Sequence, residues 1–147
     1  MSADELAAFL DEQRTVVVAT NGPDGWPHLM PLWYVVREGE LWSWTYAKSQ
    51  KVKNLERDAR ATLQVEAGRQ YQELRGVMIR ARASLHRDVE TVAAFGAELF
   101  TRYTGADPLP GPVADMVRAQ APKRVALQFV AVAEPVTWDH GKLGGVY

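Results

Sequence analysis

A chain of 147 residues, 47% of them hydrophobic and with no long polar tract, is sized for one domain (1–147) with a proper core, which excludes a disordered chain. A formal net charge of −1 argues against a general nucleic-acid binder, and the absence of cysteine excludes disulfides, thiol nucleophiles and thiolate metal sites. Met1–Asp11 is polar and acidic where a signal peptide needs a basic start and an apolar core, and no apolar run approaches the ~20 residues of a membrane span. The expectation is a soluble cytoplasmic protein with no nucleic-acid or membrane partner.

In chain order, Ser2 and Glu5 fit a capping box ahead of Leu6, Phe9 and Leu10, so a short helix opens the chain. Thr15–Thr20 reads as a buried strand, and Asn21-Gly22-Pro23-Asp24-Gly25 as a turn. The next strand is expected over Pro27–Arg37. Pro31 interrupts it and cannot donate to a ladder, which implies either a protected edge or a bulge that re-aims backbone beside a ligand. Glu38-Gly39 then turns into a strand over Leu41–Tyr46, completing an antiparallel meander.

That strand runs into a helix expected over Lys51–Asp58, where Val52 and Leu55 share a face and Ser49 stands at the N-cap. Such a corner leaves unpaired backbone N–H groups and the positive end of the helix dipole. Lys48, Lys51 and Lys53 add charge, and Thr45 and Ser49 add hydroxyl donors, so the corner can hold a phosphate. The same residues also fit a merely solvated surface turn. Lysine near a helix start opposes the dipole, however, and a bound anion would account for it.

Beyond it, Ala61–Glu66 has Ala61, Leu63 and Val65 on one face, and Gln70–Arg75 is a polar turn or hairpin extension. Val77–Leu85 alternates, with Val77, Ile79, Ala81, Ala83 and Leu85 inward and Met78, Arg80, Arg82 and Ser84 outward. Asp88 caps a helix whose stripe is Val89, Val92, Ala93, Gly96, Leu99, Phe100 and Tyr103. Thr104–Val113 is a Gly/Pro loop, Ala114–Ala119 a short helix, and Val125–Val132 the last long strand, which Pro135 ends or bends. About six antiparallel strands with short links would close on themselves. The expected fold is mainly β: a six-stranded small barrel with flanking helices.

Three segments carry a family resemblance: Thr45-Tyr46-Ala47-Lys48-Ser49-Gln50-Lys51 with Asn54-Leu55, Phe100–Gly105 with the Pro-rich loop after it, and Trp138-Asp139-His140 with Lys142-Leu143. On these the chain resembles the FMN-binding split β-barrel flavoproteins related to pyridoxamine 5′-phosphate oxidase, and in detail their F420-dependent reductase branch. In the oxidases a T-x-x-x-S-R-K segment grips the flavin phosphate. Thr45, Ser49 and Lys51 fit that segment, Gln50 stands where the oxidases have Arg, and Lys51-Val52-Lys53-Asn54-Leu55 matches the reductases. Trp138 stands where an oxidase Trp reaches toward the cofactor, and Lys142 where a later Arg does.

The resemblance implies F420 or FMN as cofactor and a homodimer with sites at the subunit interface. It implies cofactor binding by Thr45, Ser49, Gln50, Lys51, Asn54, Trp138 and Lys142, with the strand of Leu29, Met30, Pro31 and Leu32 laid along the ring. Arg80 and Arg82 either reach the acidic tail of F420 or solvate the barrel exterior. Trp42, Trp44 and Tyr46 share a face suited to core or interface.

No nucleophile–base pair is visible and His28, His86 and His140 have no metal spacing, which suits a protein whose cofactor carries the hydride. The histidines read as surface residues. Only His140 is a candidate proton donor, because the family tail approaches the site. The expected activity is an F420- or FMN-dependent oxidoreductase acting on a small unsaturated organic substrate. The alternatives are an FMN-dependent pyridoxamine-phosphate-type oxidase and a non-catalytic carrier of flavin, F420 or haem.

Overall fold

The computed structural model describes residues 1–145. Helix α1 (Ala3–Glu12) opens with the full capping box: Ser2 Oγ accepts from the Glu5 N–H, and the Glu5 carboxylate accepts from the Ser2 N–H. Two hairpins follow, β1 (Val16–Asn21) with β2 (Pro27–Leu32) and β3 (Val35–Arg37) with β4 (Glu40–Tyr46). Then come α2 (Gln50–Arg57), β5 (Arg60–Ala67), β6 (Arg75–His86), α3 (Val89–Thr104), α4 (Gly111–Gln120), β7 (Arg124–Ala131) and β8 (Val136–Asp139). The strands form one curled antiparallel sheet in the order β2-β1-β5-β6-β7-β4-β3, with β8 added on β6. It is the expected split barrel with flanking helices, and no described helix is long and apolar enough to cross a membrane.

The sheet has eight strands where six are expected, for two reasons. The segment Pro27–Arg37 breaks at Trp33-Tyr34, because the fully buried Tyr34 turns inward and its Oη donates to the Leu10 carbonyl at 2.6 Å. The Tyr34 N–H donates to Tyr103 Oη at 2.9 Å instead of to a neighbouring strand. Secondly, β6 is 12 residues long and changes partner along its length. Its second half pairs with β7, and its first half takes the short β8 beyond Pro135. Helix α4 also starts at Gly111, inside the expected loop, since Pro112 occupies the first turn where no N–H is needed. Pro31 pairs with Val17 in unbroken register on β2, an edge strand, so the structure has the edge and not the bulge.

Alternation along the strands builds two cores. Val16, Val18, Leu41, Leu63, Val77, Leu127 and Phe129 fill the inside of the curl, and Phe9 and Leu10 of α1 pack into the same cluster. On the outer face, Trp44, Val35 and Ala126 pack under Val92, Phe95 and Leu99 of α3 and Val117 of α4. Trp44 therefore belongs to the core. Gly96 lets α3 sit on it, since a Cβ there would lie 2.5 Å from the Trp44 ring. Gly96→Ala is expected to cost about 1–3 kcal/mol through overpacking. Urea denaturation reads this directly, and an unchanged midpoint would mean that α3 shifts without penalty.

Candidate cofactor-binding site

The corner between β4 and α2 gathers donors. β4 alternates so that Thr45 points into the curl, 4% exposed. Lys51, in the first turn of α2, folds inward, and its Nζ donates to Thr45 Oγ1 at 3.1 Å. Only 7% of Lys51 is exposed, and no described carboxylate pairs with it. Burial, and secondarily the Arg124 guanidinium, pushes the Lys51 ammonium below the usual lysine range. Ser49 sits at the N-cap in extended conformation, yet its hydroxyl caps nothing; Oγ is buried without a partner.

Asn54 is fully buried, donates through Nδ2 to Thr20 Oγ1 at 3.0 Å, and accepts from Gln50 Nε2 at 2.8 Å. The bond to Thr20 ties α2 to β1, and the bond from Gln50 lies within α2 and holds the Asn54 amide in place. A buried ammonium without a carboxylate, a hydroxyl without a partner and the open N–H groups of a helix start make a donor set of the kind that suits an anion. The donor set fits a phosphate.

Arg124 is a residue that sequence reasoning missed. It lies opposite Tyr46 across β4 and β7, and its guanidinium stands 3.7 Å from the centre of the Tyr46 ring and 4.9 Å from that of Trp44. Only the pairing of two strands far apart in sequence brings it here, so no local signal could have shown it.

β2 adjoins the corner through β1. Leu29 and Met30 are exposed on this edge strand, and Leu32 is partly buried in the barrel core. His28 pairs with Thr20, which places both side chains on one face. Its Nδ1 is buried without a partner.

The tail residues gather elsewhere. Trp138 lies on Gly76, where a Cβ would meet its ring. Lys142 Nζ is ion-paired with Glu5 of α1 at 2.7 Å, and His140 Nδ1 lies 2.9 Å from the Tyr71 carbonyl oxygen. The described contacts of these three thus lead to α1, β6 and the turn at 71–73. The Lys142 ammonium and the Ser2 N–H hold the Glu5 carboxyl down at about 2. The tie between tail and α1 is therefore complete above the ordinary carboxylate range and is lost only as pH falls toward that value. His86 pairs with Gln128 at 2.9 Å and stacks on Trp42, away from the corner. Among the described residues no group of His, Asp or Glu could hold a metal ion.

A curled antiparallel sheet with flanking helices, and a buried lysine without a carboxylate at its β4–α2 corner, defines a protein of the split-barrel class. The model of the pyridoxamine 5′-phosphate oxidase family matches residues 2–135, and the chain belongs to that family. Among solved structures, a conserved hypothetical protein from Mycobacterium tuberculosis is 41% identical, with a TM-score of 0.88 over 100% of this chain and 90% of that one. An F420 reductase is 24% identical, with a TM-score of 0.69 over 88% of this chain and 94% of its own. The haem storage protein of Vibrio cholerae is 17% identical, with a TM-score of 0.71 over 91% of this chain and 92% of its own. These last two share the fold. No protein with a curated description matches the chain.

Proposed function

We propose that this protein binds FMN or F420 by its phosphate at the β4–α2 corner and passes hydride between that cofactor and a small unsaturated organic substrate. The observation that carries the reading is Lys51, a buried ammonium whose one hydrogen-bond partner is the Thr45 hydroxyl. Lys51, Thr45, Ser49 and the first N–H groups of α2 would hold the phosphate. Asn54 ties that turn to Thr20 of β1, and Gln50 holds the Asn54 amide. The edge strand at Leu29, Met30, Pro31 and Leu32 would line the ring. The cofactor supplies the hydride chemistry, and this chain orients it and shields it from water. Family membership supports a flavin-type cofactor, and the fold shared with an F420 reductase keeps F420 beside FMN.

The reading includes a cytoplasmic homodimer. Leu29 and Val136, exposed on strands of the sheet, and Val132 just beyond β7 support a second copy as partner. In that dimer Trp138, His140 and Lys142, held in their own chain by β6, the turn at 71–73 and α1, would serve the other copy's site. Titrating the purified protein with FMN and with F420 by fluorescence tests the reading. Saturable binding of one with no effect of the other is expected, and no binding of either would sink it.

A non-catalytic carrier of flavin, F420 or haem is the second reading, favoured by the fold shared with a haem storage protein. Cofactor binding without reduction of any enone or quinone in a panel would select it. A pyridoxamine-phosphate-type oxidase is less well supported: it needs a second phosphate grip, whereas Gln50 donates its amide to Asn54 and Lys142 is paired with Glu5.

A further inference from the structure

We propose that the cavity on the outer side of β1, β5 and β6 receives the organic substrate, and that Arg80 clasps a carboxylate or phosphate on it. This rests on the cofactor reading above and gives it a substrate class: a flat organic anion.

The cavity measures about 500 Å³, room for a small to medium molecule. Ala19, Pro27 and Val132 make smooth apolar walls, Thr62 adds a hydroxyl, and Arg60 and Arg80 add charge. Strand register aligns the floor: Ala19 pairs with Thr62, and Thr62 with Arg80, so the three side chains share one face. Thr20 also lines the cavity, and its hydroxyl accepts from Asn54 of the phosphate corner. The two sites therefore abut across one residue.

The charges here do not balance within the protein. Arg60 stands directly across from Arg82, a like-charge pair that destabilises a sheet unless something offsets it. Asp58 answers Arg60 at 2.7 Å, and the Arg60 guanidinium holds the Asp58 carboxyl well below the usual carboxylate range. Arg57 donates to the Asn21 carbonyl at the same rim. The guanidiniums of Arg80 and Arg82 make no hydrogen bond or ion pair with any described residue. Of the two guanidiniums that line this cavity, only Arg60 has a carboxylate, and Arg80 has none. An anionic group on a planar hydrocarbon frame satisfies both features, because the frame lies on Ala19, Pro27 and Val132 while the anion meets Arg80.

The test uses the full chain and two dyes of one shape: 1-anilinonaphthalene-8-sulfonate, a flat anion, and uncharged N-phenyl-1-naphthylamine. Each is titrated by fluorescence without cofactor and again with saturating FMN or F420. Cofactor binding is measured separately, so its failure is read apart from failure of the anion site. The sulfonate is expected to bind the wild type with or without cofactor. Arg80→Gln should weaken it about tenfold or more, and Arg80→Lys should restore part of the loss. The neutral dye should bind all variants alike, and the distant control Arg118→Gln should change nothing. Arg80 is exposed, so its variants should fold, and their urea midpoints are to be measured alongside. The proposal is overturned by no sulfonate binding, by unchanged affinity in Arg80→Gln, or by an equal loss for the neutral dye. It is likewise overturned by an equal loss in Arg118→Gln, or by displacement of the sulfonate by either cofactor, which would assign the cavity to the cofactor.

Discussion

Replacing Lys51 by methionine is expected to weaken FMN or F420 binding by about 1.5–3 kcal/mol, the range for a hydrogen bond to a charged group. The same change is expected to stabilise the protein without its cofactor. Both effects have one cause. Lys51 is buried with only Thr45 Oγ1 as partner, so the folded chain bears a desolvated charge that no carboxylate offsets. A bound phosphate supplies the missing partner, and methionine fills similar space without the charge.

The pH dependence has a definite sign. The folded-state pKa of Lys51 lies below its ordinary value because of burial and of Arg124. At pH values below the folded pKa the lysine is charged in both states and its burial counts fully against folding. As pH rises from the folded pKa toward the ordinary lysine value, the unfolded chain holds more protons than the folded one, so stability rises. The wild type without cofactor should gain stability across that alkaline window, and Lys51→Met should not. Since an anion favours the ammonium, cofactor affinity should fall across the same window. Fluorescence titrations and urea midpoints at two pH values read all of this. Unchanged affinity in Lys51→Met would remove the residue from the site.

The second large effect concerns Arg102 of α3. Its Nη2 donates to the carbonyls of Leu10 at 3.0 Å, Asp11 at 2.9 Å and Gln13 at 3.0 Å, where α1 ends. Its Nη1 donates to the Tyr34 carbonyl, and the guanidinium lies over the Tyr34 ring, 4.6 Å from the centroid. One side chain therefore satisfies the open end of α1 and the break between β2 and β3. Arg102→Met should cost about 3 kcal/mol or more, because several carbonyls lose a charged donor together. For a domain of this size that is a fall in melting temperature of roughly 6–12 °C. Arg102→Lys keeps the charge but lacks the planar fork, and should recover only a minor part. Arg102 contacts none of the corner residues, so cofactor affinity should stay within about twofold; a stable but cofactor-blind variant would refute this assignment.

Much of the corner was legible locally. Thr45, Ser49, Gln50, Lys51 and Asn54 lie within ten residues, and the strand-to-helix switch is written in their spacing. The alternation of β6 and the capping of α1 and α3 were equally visible, because each depends on neighbours three or fewer residues away. The burial of Lys51 was not legible. A lysine in a first helical turn reads as solvated, and only β4 behind it turns the side chain inward. Arg124, Thr20 and His28 join the site through strand pairing, which spans up to 78 residues between Tyr46 and Arg124. The break at Tyr34 and the docking of Arg102 depend on a hydroxyl and a guanidinium finding backbone oxygens elsewhere in the fold.

By itself, then, the sequence determined the barrel class and the chemical character of the β4–α2 corner, since periodicity, capping and turn residues act over a few positions. Tertiary structure alone decided which charges are buried without a counter-ion and where the strand edges meet. Desolvation and cross-strand contact depend on atoms that folding brings together from remote parts of the chain.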